Sequence, residues 1–164
     1  MCGPRLQDQH GLVGRELNDK NMTLAIGLIA AGIFAGLAIV HVILAVACSP
    51  GSMTATLPHI GDRPAFVPSK TGTLAVAFAL GGCALLILGR LGLLGSAAPD
   101  WLYRWGTLLL AVLLALRAIG DFRLVGFFKR IRSSTFARLD SWLYSPLCVL
   151  LAAACAIVAL SPVA

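Results

Sequence analysis

Four long apolar stretches dominate the chain, and polar connections of very different length separate them. The stretches cover approximately residues 24–48, 71–94, 102–119 and 142–160. Each approaches or exceeds the roughly 20 helical residues that cross a hydrocarbon core of about 30 Å. Because a membrane-spanning segment must satisfy its own backbone hydrogen bonds, the pattern predicts helices. We therefore predict an all-α protein, a four-helix transmembrane bundle.

A polar lead, residues 1–21, precedes the first apolar stretch. Its acidic and basic side chains show no apolar periodicity, and Gly3 and Pro4 stand near its start. Such a segment buries little apolar surface, so we predict a disordered or at best loosely helical lead. Residues 22–164 then form a single four-span membrane domain. Met22, directly before the first apolar stretch, is an alternative start of translation.

Composition supports a membrane protein and excludes several other classes. Apolar residues make up 59% of the chain and charged residues 12%, whereas soluble domains carry about 25% charged residues. The five cysteines form no framework spacing, which excludes a disulfide scaffold. The net charge of +6 comes from basic residues bordering the apolar stretches, which indicates lipid headgroups and no nucleic acid. No metal-binding or nucleotide-binding motif is present, so we predict no metal site and leave the cofactor unknown.

The distribution of lysine and arginine predicts the orientation in the membrane. Eight lie near or in the first and third connections, and five lie in the lead and the second connection. Basic connections stay in the cytoplasm. We therefore predict a multi-pass protein of the cell inner (plasma) membrane with both termini outside the cytoplasm. The difference widens to eight against two for a chain that begins at Met22.

Polar residues gather at the predicted cytoplasmic end of the bundle. His41 lies about 10 Å inside the end of the first helix, at 1.5 Å per residue. The third and fourth helices each contribute a polar pair at i,i+4 spacing, which places each pair on one helical face. The candidate ligand-binding residues are His41, Arg117, Asp121, Asp140 and Tyr144. Ionisable groups at membrane depth are often functional, so we predict one cavity under the connection 49–70. The alternative is that these charged side chains lie at helix ends and merely extend to the lipid headgroups.

A pair of small residues, Gly32 and Gly36, lies on one face of the first helix. This spacing lets helix backbones approach closely. The pair therefore suits packing within the bundle or contact between two copies of the chain.

Three stretches resemble the signature of a known family: Arg117–Arg123 (RAIGDFR), Phe136–Asp140 (FARLD) and Tyr144–Leu147 (YSPL). The family comprises uncharacterised small bacterial four-span integral membrane proteins and is described only as a domain of unknown function. His41 is similar to a family histidine late in the first span. Leu44 departs from the family, which usually has tryptophan there. The resemblance implies the fold and a bacterial membrane location, and it supplies no activity.

Two classes of function remain open. The first is a non-enzymatic or accessory membrane component that binds a lipid, a hydrophobic small molecule, a membrane protein partner or a second copy of itself at the cytoplasmic face. The alternative is a small membrane-embedded enzyme that acts on a lipid-like substrate, with His41 as base and Arg117 holding an anion. Catalysis needs a second titratable group within hydrogen-bond reach of a common pocket. The catalytic residues are therefore left unknown.

Overall fold

The computed structural model describes residues 4–47, 59–60, 63–64, 69–95, 97–119 and 140–162. The helices are α1 (Pro4–Ala47), α2 (Lys70–Arg90), α3 (Asp100–Ile119) and α4 (Ser145–Leu160). Two short antiparallel strands, β1 (His59–Ile60) and β2 (Arg63–Pro64), lie between α1 and α2, and a π-helical turn (Asp140–Tyr144) leads into α4. Counting that turn with α4, four helical segments among the described residues are long and apolar enough to cross a membrane. This confirms the predicted all-α, four-helix transmembrane fold.

Residues 4–21 of the polar lead belong to α1, a more regular structure than the disordered or at best loosely helical lead that the composition predicts. α1 begins at Pro4 and continues without a break to Ala47. Proline is well accommodated in the first turn of a helix. Further along, the Lys20 ammonium lies 3.3 Å from the Glu16 carboxylate, an i,i+4 pair that supports helix. Extending a helix that already exists also avoids the cost of nucleation.

α1 is much longer than a membrane span. Its 44 residues correspond to about 66 Å at 1.5 Å per residue, against a hydrocarbon core of about 30 Å. The polar N-terminal part of the helix therefore projects from the membrane surface.

A glycine turn ends α2 at Arg90, short of residue 94 where the apolar stretch ends. The Gly92 amide donates to the Gly89 carbonyl at 3.0 Å. The Leu93 amide donates to the Leu88 carbonyl, also at 3.0 Å. Gly92 has a φ of +76°, the left-handed conformation that glycine adopts most readily. Together these features form a Schellman motif, which stops the helix and turns the chain toward α3.

The four helices form a ring, and α2 and α4 also make a few contacts across it. α1 lies mainly against α2, and α3 lies mainly against α4. Contacts of α2 with α3 and of α1 with α4 close the ring, so α1 and α3 stand at opposite corners. The core combines small side chains such as Ala30, Ala84 and Ala111 with larger ones, including Phe34 and Ile87. Small residues allow the close helix approach on which association in lipid depends.

α2 and α3 approach each other closely at Gly89. A Cβ atom on Gly89 would lie 2.1 Å from Cε1 of the buried Tyr103 ring. The ring therefore lies directly on the α2 backbone, and no larger residue than glycine fits beneath it.

Gly32 and Gly36 take no part in helix packing within the described bundle. Both are exposed, and a Cβ atom on either would meet nothing within 4 Å. Contact between two copies through this pair stays a prediction.

We expect Gly89→Ala to destabilise the bundle, since the added methyl group would displace Tyr103. Overpacking of this kind costs about 1–3 kcal/mol. Gly82→Ala in the same helix is the matched control, because a Cβ there would meet nothing within 4 Å. Thermal unfolding of the detergent-purified variants measures the difference. Equal midpoints for the two variants would contradict the close contact.

Candidate functional site

His41 lies near the C-terminal end of α1 and is half-buried. It follows Phe34 and precedes Ala45, both buried, at helical spacings that place all three on the inward face of α1. Its Nδ1 lies 2.8 Å from the Leu37 carbonyl oxygen, one turn earlier. A carbonyl only accepts, so Nδ1 carries the proton. In the neutral ring, Nε2 is then the nitrogen that can accept a proton.

The other candidate residues of the predicted cluster are described to different extents. Arg117 in the last turn of α3 and Tyr144 at the end of the π-helical turn are both half-buried. The backbone of Asp140 begins that turn. Asp121 and most of the connection 49–70 lie outside the described residues.

Helix order limits how this cluster can assemble. His41, Arg117 and Tyr144 lie at the same end of the bundle, because consecutive spans run in opposite directions. α1 and α3 occupy opposite corners, whereas α4 contacts both. Tyr144, just before α4, is therefore better placed to lie near each of the others than His41 and Arg117 are to meet. A single cavity lined by all five residues stays a prediction.

The opposite end of the bundle contains a buried cation, Arg90. Only 5% of the residue is exposed, although it is the last residue of α2. Its Nη1 donates to Oδ1 of Asp100 at 3.0 Å. Its Nη2 donates to the carbonyl oxygens of Ala159, at 3.3 Å, and Ser161, at 2.5 Å. One guanidinium therefore joins the end of α2, the start of α3 and the end of α4.

The hydrogen bonds of Arg90 supply partners to polar groups that lack them at the helix ends. The last carbonyl groups of an α-helix have no partner within the helix. The Arg90 cation satisfies one of them, that of Ala159, together with the carbonyl of the C-cap residue Ser161, and it complements the helix dipole. Asp100, in the first turn of α3, is likewise favourable at a helix N-terminus. The Arg90 Nε is enclosed and has no hydrogen-bond partner among the described residues.

A cavity of about 710 Å³ lies beside Arg90. Its wall from α1 is mostly polar, and its walls from the α2–α3 turn and α4 are largely apolar. The lining residues are Glu16, Asp19, Lys20, Asn21, Met22, Thr23, Leu24, Arg90, Leu91, Leu93, Ile157, Val158, Ser161 and Pro162. The cavity therefore combines a polar wall with apolar walls beside the ends of α2 and α4.

Two hydroxyl groups connect α1 to the end of α4 at this cavity. The Ser161 hydroxyl donates to the Ile157 carbonyl at 2.7 Å, which uses its only proton. The Thr23 Oγ1 lies 3.2 Å from the Ser161 Oγ and must therefore be the donor of that bond. The lone pairs of Thr23 remain as acceptors.

The described residues form no candidate metal site and no disulfide bond. Within them, no group of three or more histidine, cysteine, aspartate or glutamate side chains could hold a metal ion. Cys83, Cys148 and Cys155 form no disulfide bond among the residues that the structure describes.

Sequence reasoning missed Arg90 as a site residue and treated it only as a flanking charge. A signal was available in the spacing of Arg90 and Asp100, opposite charges on either side of a turn rich in glycine. That spacing alone does not distinguish an enclosed ion pair from two charges that extend to the headgroups.

The chain belongs to a family described as "Protein of unknown function (DUF3995)", which its residues 22–155 match. This confirms the predicted membership of an uncharacterised family. No curated protein and no solved structure matches the chain.

We expect Arg90→Gln to lower the free energy of unfolding by about 3 kcal/mol, since it removes charged hydrogen bonds to Asp100 and to the end of α4. The side chain of Asp100 is 54% exposed and stays solvated, so the loss should fall short of that for a fully buried pair. Arg104→Gln is the control, because Arg104 is exposed on α3 and should change stability by less than about 0.5 kcal/mol. Denaturation in detergent micelles checks this, and similar effects for both variants would contradict a structural role for Arg90.

Proposed function

We propose that this protein is a non-enzymatic membrane component that binds a lipid-like amphiphile in the cavity beside Arg90. The observation that carries the proposal is the pairing of polar and apolar walls around one space of about 710 Å³. A space of this size is typical of pockets that bind small molecules, about 300–1,000 Å³. Its position at the helix ends would place a headgroup near water and an acyl chain along the bundle.

The apolar wall accounts for the lipid-like part of the ligand. Leu91, Leu93 and Ile157 line the cavity and are only partly covered by protein. Apolar contact contributes about 25 cal/mol per Å² of surface removed from water, so an acyl chain gains from lying there.

The cluster predicted at the other end is a second candidate ligand site. The accepting Nε2 of His41 favours this site, because it could receive a hydrogen bond from a ligand or take a proton from a substrate. The enzyme alternative additionally needs Arg117 beside the same substrate. Since α1 and α3 stand at opposite corners of the ring, the arrangement favours binding over catalysis.

We further propose the orientation that the basic residues predict, with both termini outside the cytoplasm of a cell with an inner or plasma membrane. The support is the excess of eight over five lysine and arginine residues in the first and third connections. The Arg90 cavity would then open on the outer surface, and His41 would lie near the cytoplasmic one.

We expect the full-length protein to retain lipid when it is purified in mild detergent and measured by native mass spectrometry. Leu93→Asp should lower retention about tenfold or more, because a carboxylate would replace an apolar contact with the chain. Leu102→Asp is the matched control, since Leu102 is an exposed leucine at the same end of the bundle and does not line the cavity. Retention that is absent in the wild type, or unchanged in Leu93→Asp, would refute binding in this cavity.

We expect reporter fusions to place residue 130 in the cytoplasm and residue 164 outside. The five basic residues from Arg123 to Arg138 resist translocation, which is the physical reason. A phosphatase fused after residue 164 should be active, and one fused after residue 130 should be inactive. A cytoplasmic C-terminus would reverse the assignment and show that the basic residues of the lead dominate.

A further inference from the structure

The cationic side chains that line the cavity already have partners. Both terminal nitrogens of Arg90 donate to protein oxygens, and its Nε is enclosed. The Lys20 ammonium is paired with Glu16 at 3.3 Å. An anionic headgroup would therefore have to compete with existing ion pairs for each positive charge in the lining.

The groups that remain available to a ligand include a carboxylate and a hydroxyl oxygen. Asp19 lines the cavity, is exposed and forms no ion pair with any residue that the structure describes. Thr23 follows it by one turn on the same face of α1. Because the Thr23 hydroxyl donates its proton toward Ser161, it presents lone pairs to a ligand. The polar wall thus offers negative charge and acceptors.

We infer that the cavity takes a lipid whose headgroup carries a primary ammonium, as in an ethanolamine phospholipid. This inference rests on the proposed function and names the ligand class of that site. A primary ammonium has three N–H donors, which match the Asp19 carboxylate and the Thr23 hydroxyl oxygen. A choline headgroup has the same charge without N–H donors, and a glycerol headgroup lacks the positive charge.

The test compares lipids that differ only in the headgroup. The full-length protein is mixed with equal amounts of ethanolamine, choline and glycerol phospholipids with identical acyl chains, and bound lipid is counted by native mass spectrometry. Since the carboxylate is exposed, we expect about a fivefold preference for ethanolamine over glycerol lipid. Choline lipid should bind less well than ethanolamine lipid, because it cannot donate hydrogen bonds.

Two variants test whether the Asp19 carboxylate causes the preference for ethanolamine lipid. Asp19→Asn should abolish the preference for ethanolamine lipid while the total amount of bound lipid changes little, since the apolar walls are intact. Asp19→Glu is the conservative control and should retain the preference. A preference that survives in Asp19→Asn would overturn the inference.

The failures of the two proposals are distinguishable. A wild-type protein that retains no lipid of any class would overturn the proposed function. Retention with equal or greater binding of glycerol lipid would overturn only the headgroup assignment. Free ethanolamine in millimolar excess should not displace the bound lipid, because it lacks the chain that the apolar walls hold. Displacement would show that the site recognises a soluble amine instead.

Discussion

The arrangement of the bundle depends on the ion pair and the hydrogen bonds of one buried guanidinium, that of Arg90. Removing a charge from water is costly unless a counter-charge and hydrogen bonds replace the lost hydration. Here Asp100 supplies the counter-charge, and two carbonyl groups at the end of α4 supply the acceptors. These bonds require three helix ends to lie within the reach of one side chain. They also fix one edge of the cavity, because Arg90 and Ser161 both line it.

Close packing and charge pairing cooperate at the α2–α3 contact. Tyr103 lies on the backbone of Gly89, the residue before Arg90. Asp100 precedes Tyr103 by three residues and so shares its face of α3. The packing of Tyr103 against Gly89 therefore also orients the Asp100 carboxylate toward the Arg90 guanidinium. In lipid, where the hydrophobic effect between helices is weak, such steric fit and hydrogen bonding supply much of the association.

The apolar pattern was sufficient to predict four membrane-spanning helices, because each must satisfy its backbone in lipid and few other structures can. It did not reveal the role of Arg90. A charge at the end of an apolar stretch looks the same in sequence whether it extends to the headgroups or is enclosed by another helix. Likewise, Gly32 and Gly36 have the spacing of a packing motif, yet their face is open in the described bundle. Both outcomes depend on which helix lies next to which, and local sequence does not contain that information.

The residues that line the cavity lie partly inside and partly outside the stretch that matches the family. Arg90 and the apolar turn after it fall within residues 22–155, the part that matches the family, whereas the residues at the end of α4 that line the cavity, from Ile157 to Pro162, follow that part. The carboxylates of the polar wall, Glu16 and Asp19 on α1, precede the matched residues, whereas Thr23 lies within them. A chain that began at Met22 would keep every span and the ion pair of Arg90, but it would lose the carboxylates beside the cavity. The start of translation would then decide the headgroup chemistry of the site without altering the membrane fold that supports it.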